Sequence, residues 1–397
     1  MGKNNLNKMD MDNEMVKATN AQHTQDIDDN IEEETLYDNN YDNQITNPFN
    51  PNEIDVDIAT VNLGSIIEQL ENEEIDLQPD FQRSTDVWNT TKKSRLIESI
   101  LLGLPLPSFY FSEDAITKKL SVIDGLQRLC AIRDFILKAN QKDALRLQGL
   151  QFLPNFEGKT YLELERPEIK RIKSLKITMN TLRKGTPNDV KFIIFQRVNT
   201  AGVPLTPQEM RHALNQGVAA NFIKELSELN SFKIATNDSV KSKRMQDRDF
   251  ANRFVAFYIG YNEYNGELDT FLNDKMGELN KISYERLDSI RQAFDKSMMC
   301  CYDIFGDDTF RRRYNKSDRR KPISKAVFDS LSVNIAWLTN KQREMLIKKA
   351  EAFKDGFIEL FNDKSFNASI STGTGQKYNV DKRFNSIKQL INRILES

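Results

Sequence analysis

The amino-acid sequence predicts an α+β chain, with a small sheet and its helices in the first half and a mostly α-helical second half. Three observations carry this. Short apolar runs bounded by turn residues, at Ile75-Asp76-Leu77, Phe109-Tyr110-Phe111, Leu120 to Ile123 and Leu175 to Thr178, are strand-like. Between them, apolar residues recur every three to four positions, as at Leu96 and Ile100 and at Leu126, Leu129, Ile132 and Phe135. From Asp249 to Ser397 the helical period dominates: Phe250, Phe254, Phe257 and Tyr261 open a series that continues over 279–305, 323–338 and 341–361.

After Asn62-Leu63-Gly64-Ser65, the residues Ile66, Ile67 and Leu70 mark a first helix. Pro79 closes the strand at 75–77 and leaves Gln82 and Arg83 in a loop, where side chains are freer to meet a ligand. A helix from Asn89 stops at Gly103, and Pro105 and Pro107 impose an extended approach to the strand at Phe109. A hairpin-like segment from Glu113 to Lys119 leads back to Leu120. Residues 140–185 signal less clearly: an aromatic loop at Phe152 to Phe156, a charged stretch from Glu163 to Lys173, then a returning strand. Thr186-Pro187 and Thr206-Pro207-Gln208-Glu209 each set Thr as an N-cap before a first-position Pro, and Glu209 completes a capping box. Between these two helices, Arg197, Asn199 and Gly202 lie in a loop whose Asn and Gly accept positive φ and whose N–H groups could line a ligand. Ser369 to Lys377 reads as a Gly/Ser/Thr-rich loop before a short closing helix from Arg383 to Leu395.

Chemistry concentrates at residues 120–136. A strand ends at Asp124-Gly125 and a helix starts at Leu126, so Gly125 lies bare at a helix N-terminus. The unpaired N–H groups and the dipole there favour an anion such as phosphate. Gln127 and Arg128 fall in the first turn. Arg128 can fork onto phosphate oxygens, and Asp124 can hold Mg²⁺ or a ribose hydroxyl. Taken alone, the corner also reads as a plain β-turn-α connection whose Arg128 pairs with a nearby acid. The upstream Gln82-Arg83 repeats the pairing of an amide with a guanidinium.

Pro79-x-x-Gln82-Arg83, Trp88, Leu96-Ile97-Glu98-Ser99-Ile100, Pro105-x-Pro107 and Ile123-Asp124-Gly125-x-Gln127-Arg128 occur in that order. Together they resemble the N-terminal domain of GmrSD-type restriction enzymes, a family with a ParB/sulfiredoxin-like fold. The likeness continues through 195–214 and 243–254, and it covers residues 58–390. One departure is that the family's usual DGQQR is DGLQR here, Leu126 replacing an amide. The resemblance implies a small mixed sheet with helices, and a nucleotide-binding, Mg²⁺-dependent NTP-hydrolysing module of a DNA restriction or antiphage defence system. On that reading Asp124, Gln127 and Gln82 are catalytic, with Asp124 also the Mg²⁺ ligand. Arg83, Gly125, Arg128, Asn199 and Gly202 then bind the nucleotide, which is substrate or ligand. The expected organisation is a disordered acidic tail over 1–57, a ParB-like nucleotide-binding domain over 58–215 and a helical domain over 216–397.

Composition adds charge and compartment. Residues 1–57 carry 14 acids against 3 bases, a net charge of −11, so the other 340 residues sum to +9 within a chain of net charge −2. Poor in apolar residues, that leader cannot offset its chain entropy by burial, and its charge suits either a solubilising role or competition with DNA for a basic surface. Arg311-Arg312-Arg313, Lys316, Arg319-Arg320-Lys321 and Lys325 face only Asp318, giving +7 over fifteen residues. Arg312, Arg313, Arg319, Arg320 and Lys321 are the candidates for contacts to a DNA backbone, with Tyr314 available for stacking; a solvated loop is the plainer reading. Three cysteines without a C-x-x-C pair, no signal peptide and no long apolar run fit the cytoplasm and no membrane partner. A P-loop and a Rossmann glycine motif are both missing. With only His23 and His212, the chain lacks the histidines of an HNH nuclease, so a separate nuclease subunit is the expected partner. Two alternatives remain: a DNA-binding module without turnover, and a catalytically inactive scaffold for another protein.

Overall fold

Five strands among the described residues make one mixed sheet: β1 (Val56–Asn62), β2 (Ile75–Asp76), β3 (Phe109–Glu113), β4 (Leu120–Asp124) and β5 (Lys176–Leu182), in the order β1-β5-β3-β4-β2. The computed structural model describes residues 31–35, 55–77, 88–113, 118–183, 205–215 and 217–397, with Thr186, Lys191 and Ile194 as single positions. Strands β1 and β5, and β3 and β4, pair antiparallel; β3 with β5 and β2 with β4 pair parallel. The α+β class is therefore as expected, with a helical second half.

Because side chains alternate along a strand, the sheet offers two faces. On one, Phe109, Phe111, Val122, Ile177 and Met179 share a core with α1 (Leu63–Glu71), α2 (Thr90–Leu102) and α3 (Leu126–Ile132, continued by a π turn over Arg133–Leu137). Asn89 caps α2 by accepting the Lys92 N–H at 2.9 Å, and Gly103 ends it at φ +75°. The charged stretch at 163–173 is in large part a helix, α4 (Arg166–Ser174), with Glu168 in its first turn and Arg171 and Lys173 in its last, which suits the helix dipole. On the other face Ile123 and Leu182 meet Met210 and Ala213 of α5 (Pro207–Leu214), which begins with the expected Thr206–Glu209 capping box. Strand β1 is not among the expected strands; its Ile58 faces solvent at 68% exposure, so the run lacks a buried apolar face of the usual kind.

Glu98 of α2 explains how the irregular stretch after α3 is held. Its carboxylate accepts the N–H groups of Gln151, Phe152 and Leu153 at 2.9, 2.6 and 2.9 Å. Burial alone pushes this carboxyl up, but those three donors and Arg95 outweigh it and leave the pKa below the ordinary value.

The rest of the chain is helical: α6 (Val218–Glu228), α7 (Asn230–Thr236), α8 (Gln246–Gly260), α9 (Leu268–Glu278), α10 (Tyr284–Phe305), α11 (Lys325–Ala336), α12 (Asn340–Lys348), α13 (Ala350–Asn362), α14 (Lys364–Ser371) and α15 (Lys377–Glu396). The helix expected over 341–361 is two, and the closing helix starts at Lys377 rather than Arg383 because Val380, Phe384, Ile387 and Leu390 form one buried stripe. The chain divides into two compact units. One contains the sheet and the helices through Leu229 with Lys241–Asp295; the other contains residues 31–35, Asn230–Val240 and Lys296–Ser397. In the second, Phe305, Phe353, Phe357, Phe361 and Phe366 form a chain of ring contacts. Residues 31–35 fall inside the stretch expected to be a tail, and here they lie against this unit.

Candidate functional site

The corner at 120–128 has the expected geometry. Strand β4 ends at Asp124, Gly125 takes φ +101° and α3 starts at Leu126. The β3–β4 register shifts between Tyr110 and Phe111, which pair with Asp124 and Val122. Ile123 is thus the extra residue of a bulge, a device that re-aims the side chain at a strand end.

Arg128 is buried, at 8% exposure, and its guanidinium is used within the fold. It donates to the carbonyl oxygen of Pro107, to that of Ser108 at 3.1 Å and to Asp124 Oδ2 at 2.8 Å, and it lies 4.3 Å from the centre of the Phe109 ring. Burial lowers its pKa and the Asp124 carboxylate raises it again, the lowering being the larger effect. A guanidinium remains charged here, so the desolvation is offset by one acid, two carbonyls and a ring face. Pro107 therefore matters twice, as an extended-chain residue and as an acceptor.

Gly125 is required by close packing as well as by its φ. A Cβ there would stand 2.4 Å from Phe109 Cδ1 and 3.2 Å from Arg128 Nη2. The bare surface expected to admit a phosphate is, on the Cβ side, the seat of the Phe109 ring. Asp124, with its side chain 28% exposed, is the acid that this packing presents at the strand end. Gln127 is half-buried in the first turn of α3. Gln82, Arg83, Asn199 and Gly202 lie outside the described residues.

Two residues without a sequence signal join Asp124. Tyr110 of β3 is its cross-strand partner, and Asn180 of β5 is in turn the partner of Tyr110, so the three form a row across neighbouring strands. Asn180 is buried, and its amide reaches the Phe109 carbonyl at 3.5 Å.

Glu209 and Arg211 are both committed inside the first unit. Glu209 caps α5 and receives Arg244 through Nε at 3.0 Å and Nη2 at 2.7 Å. Arg211 is paired with Asp249 and Asp269. His212 packs beside Arg248, whose Nη1 lies 3.4 Å from both ring nitrogens. Among the described residues no group of three or more His, Cys, Asp or Glu side chains is placed to hold a metal ion, and no helix is long and apolar enough to cross a membrane.

In the second unit the basic run is partly consumed by its own loop. Arg311 is buried and donates to the carbonyls of Asp307 and Lys321 and to Ser239 Oγ; burial, then the nearby Arg320 charge, lowers its pKa to about 10. Arg313 binds Asp308 and the carbonyls of Lys316 and Asp318. Arg312 donates to Ser371 Oγ at 2.7 Å and to the Ile370 carbonyl at 2.6 Å. Lys321 lies 4.2 Å above the Tyr314 ring, while Arg319 and Arg320 are exposed.

The first unit thus belongs to the α+β domains that set an acid at the end of an interior strand, next to a glycine turn and a helix start. Residues 63–216 match the family model described as GmrSD restriction endonuclease, N-terminal domain. The helices from Gly217 onward lie beyond the matched residues. A search of the curated proteins and a search of the solved structures found no match.

Proposed function

We propose that the chain is a component of a DNA restriction or antiphage defence system whose first unit binds and, with Mg²⁺, hydrolyses a nucleoside triphosphate. The observation that supports this best is Asp124, partly exposed at the end of β4 and fixed by an Arg128 whose other donors are tied to Pro107 and Ser108. An acid held in one rotamer by a packed neighbour is preorganised to receive a ligand. Magnesium is commonly held by one or two carboxylates together with substrate phosphates, so a single carboxylate fits an ion that arrives with the nucleotide. Such an ion supplies charge neutralisation on the phosphate oxygens.

The roles of the chain's own residues follow. Asp124 holds the ion's protein side, and Arg128 acts through Asp124 as a positioning residue. Gln127, in the first turn of α3, and Gln82 orient the base, ribose or attacking water, while Arg83, Asn199, Gly202 and the Gly125 corner receive the phosphates. The family description, a restriction endonuclease, supports DNA as the target and a nuclease as the partner. The exposed Arg319 and Arg320, next to Lys321 on Tyr314, support a DNA-contacting surface on the second unit.

Calorimetric titration of the full chain with each of the four NTPs, alongside phosphate release, tests the proposal. Arg83→Ala is expected to weaken binding by about 1.5–3 kcal/mol, the scale of a charge-assisted hydrogen bond. Asp124→Asn is expected to keep much of the binding and lose Mg²⁺-dependent turnover. A wild type that binds no NTP at millimolar concentration refutes the nucleotide reading.

A further inference from the structure

Residues 31–35 run extended along the second unit. Ile31 bridges Ile323 in parallel, and the Glu32 N–H donates to the Ile323 carbonyl at 2.8 Å. At the other end, the Thr374 N–H donates to the Thr35 carbonyl at 3.0 Å, and its hydroxyl donates to Glu34 Oε1 at 2.8 Å. The loop that offers Thr374 is itself fixed from within, because Arg383 donates to the Thr374 carbonyl at 2.6 Å.

Alternation decides which side chains meet the surface. Glu32 and Glu34 are half-buried, whereas Glu33 and Thr35 are exposed. A purely solubilising leader turns its acids to water; this one turns two of them inward. Glu32 Oε2 stands 2.8 Å from Arg312 Nη2, next to the two donors that Arg312 spends on Ser371 and Ile370. Arg312 Nε has no hydrogen-bond partner among the described residues. Glu32 Oε2 likewise has none, so carboxylate and guanidinium meet as a close ion pair without an aligned hydrogen bond, beside a guanidinium whose orientation is already fixed. Around it, residues 26–38 hold seven acids and no base, while the run beneath carries +7 over residues 311–325.

We infer that Arg312 is the centre of a phosphodiester-binding site on the second unit, and that residues 31–35 are a built-in strap whose Glu32 carboxylate stands where a nucleic-acid phosphate binds. This rests on the DNA-binding part of the proposed function and adds its regulation: DNA gains the site by displacing the strap. The apparent affinity is then reduced by the fraction of molecules in which the strap is seated.

The test uses the full chain with Glu32→Gln and Glu34→Gln together, changes that remove charge and keep shape, and measures binding of a 30-base-pair duplex by fluorescence anisotropy over a salt series. Melting curves first confirm that the variant is folded. The affinity is expected to rise by up to about fivefold at low salt, as for removal of a competing surface ion pair. The slope of log K against log salt is expected to steepen by about 0.9 for each additional phosphate that the protein neutralises. Adding Arg312→Ala should abolish both changes. If wild type and the Gln variant bind the duplex with equal affinity and slope, the strap is only a packing element and the inference fails while DNA binding stands. Binding by neither protein refutes both.

Discussion

Gly125→Ala separates two reasons for a glycine at this corner, room for a phosphate and room for Phe109. Holding an L-residue in the left-handed region costs about 1–2 kcal/mol, and the new methyl would meet Phe109 Cδ1 at 2.4 Å. Overpacking of that kind adds about 1–3 kcal/mol, so a loss of roughly 2–5 kcal/mol is expected. If the ring excludes the methyl, Phe109→Leu should return part of that loss, about 1–2 kcal/mol in a double-mutant cycle. Trp88 packs on the core that contains Phe109, and Trp337 is the chain's other tryptophan. Urea unfolding in a Trp337→Phe background, followed by Trp88 fluorescence, therefore reports on the first unit. Additivity of the two substitutions within about 0.5 kcal/mol would refute the packing argument. The glycine would then be kept for backbone conformation or ligand access.

Two further outcomes are expected. The depressed Glu98 pKa means that this carboxylate contributes stability in full above its unfolded value, near 4.5, and loses it as pH falls through the lower folded value. Glu98→Gln should cost about 1–3 kcal/mol at neutral pH and flatten the acid limb of stability between about pH 5 and 3, and equal acid limbs would contradict the three-donor account. Cys130, Cys300 and Cys301 are all buried, and burial pushes Cys300 up to about 12 and Cys301 well above its ordinary value. Native protein at pH 8 should resist a thiol reagent, with labelling accelerated by urea in step with unfolding; a fast-reacting thiol in the absence of urea would show that one of these sites opens without unfolding.

What the sequence makes legible is local. Asp124-Gly125 between an apolar run and a helical period predicts the strand, turn and helix of β4 and α3, and Thr206-Pro207-x-Glu209 predicts a cap, because each signal and its cause lie within a few residues. The plain reading of Arg128 as the partner of a nearby acid is also legible, since Asp124 is four positions away. The Pro107 and Ser108 acceptors, about twenty residues upstream, and the Phe109 ring are not: they depend on β3 pairing beside β4. Asn180 enters the same row only through the parallel β3–β5 pairing, which no turn residue or spacing announces.

Cations show why the remainder of the site resists reading from sequence. An arginine in a string of letters looks equally available for phosphate wherever it falls, but its freedom depends on where its acids are. Arg211 meets Asp249 and Asp269, 38 and 58 positions away, and Glu209 meets Arg244 at a separation of 35. Arg312 meets Glu32 from near the other end of the chain. Burying such a charge unpaired is far more costly than burying it paired, so each arginine that the fold encloses must be matched by an acid or carbonyl contributed from another element. The Arg311 to Lys321 run therefore cannot be treated as a row of equivalent phosphate ligands. Arg311 and Arg313 hold the loop, Arg312 is shared with the chain's own carboxylate, and Arg319 and Arg320 are the exposed arginines of the run, Arg320 also donating to Ser239 Oγ at 3.3 Å. Salt dependence of DNA binding should accordingly respond to Arg319 and Arg320 at about 0.9 in slope for each phosphate they neutralise, and to Arg312 only once Glu32 has been neutralised.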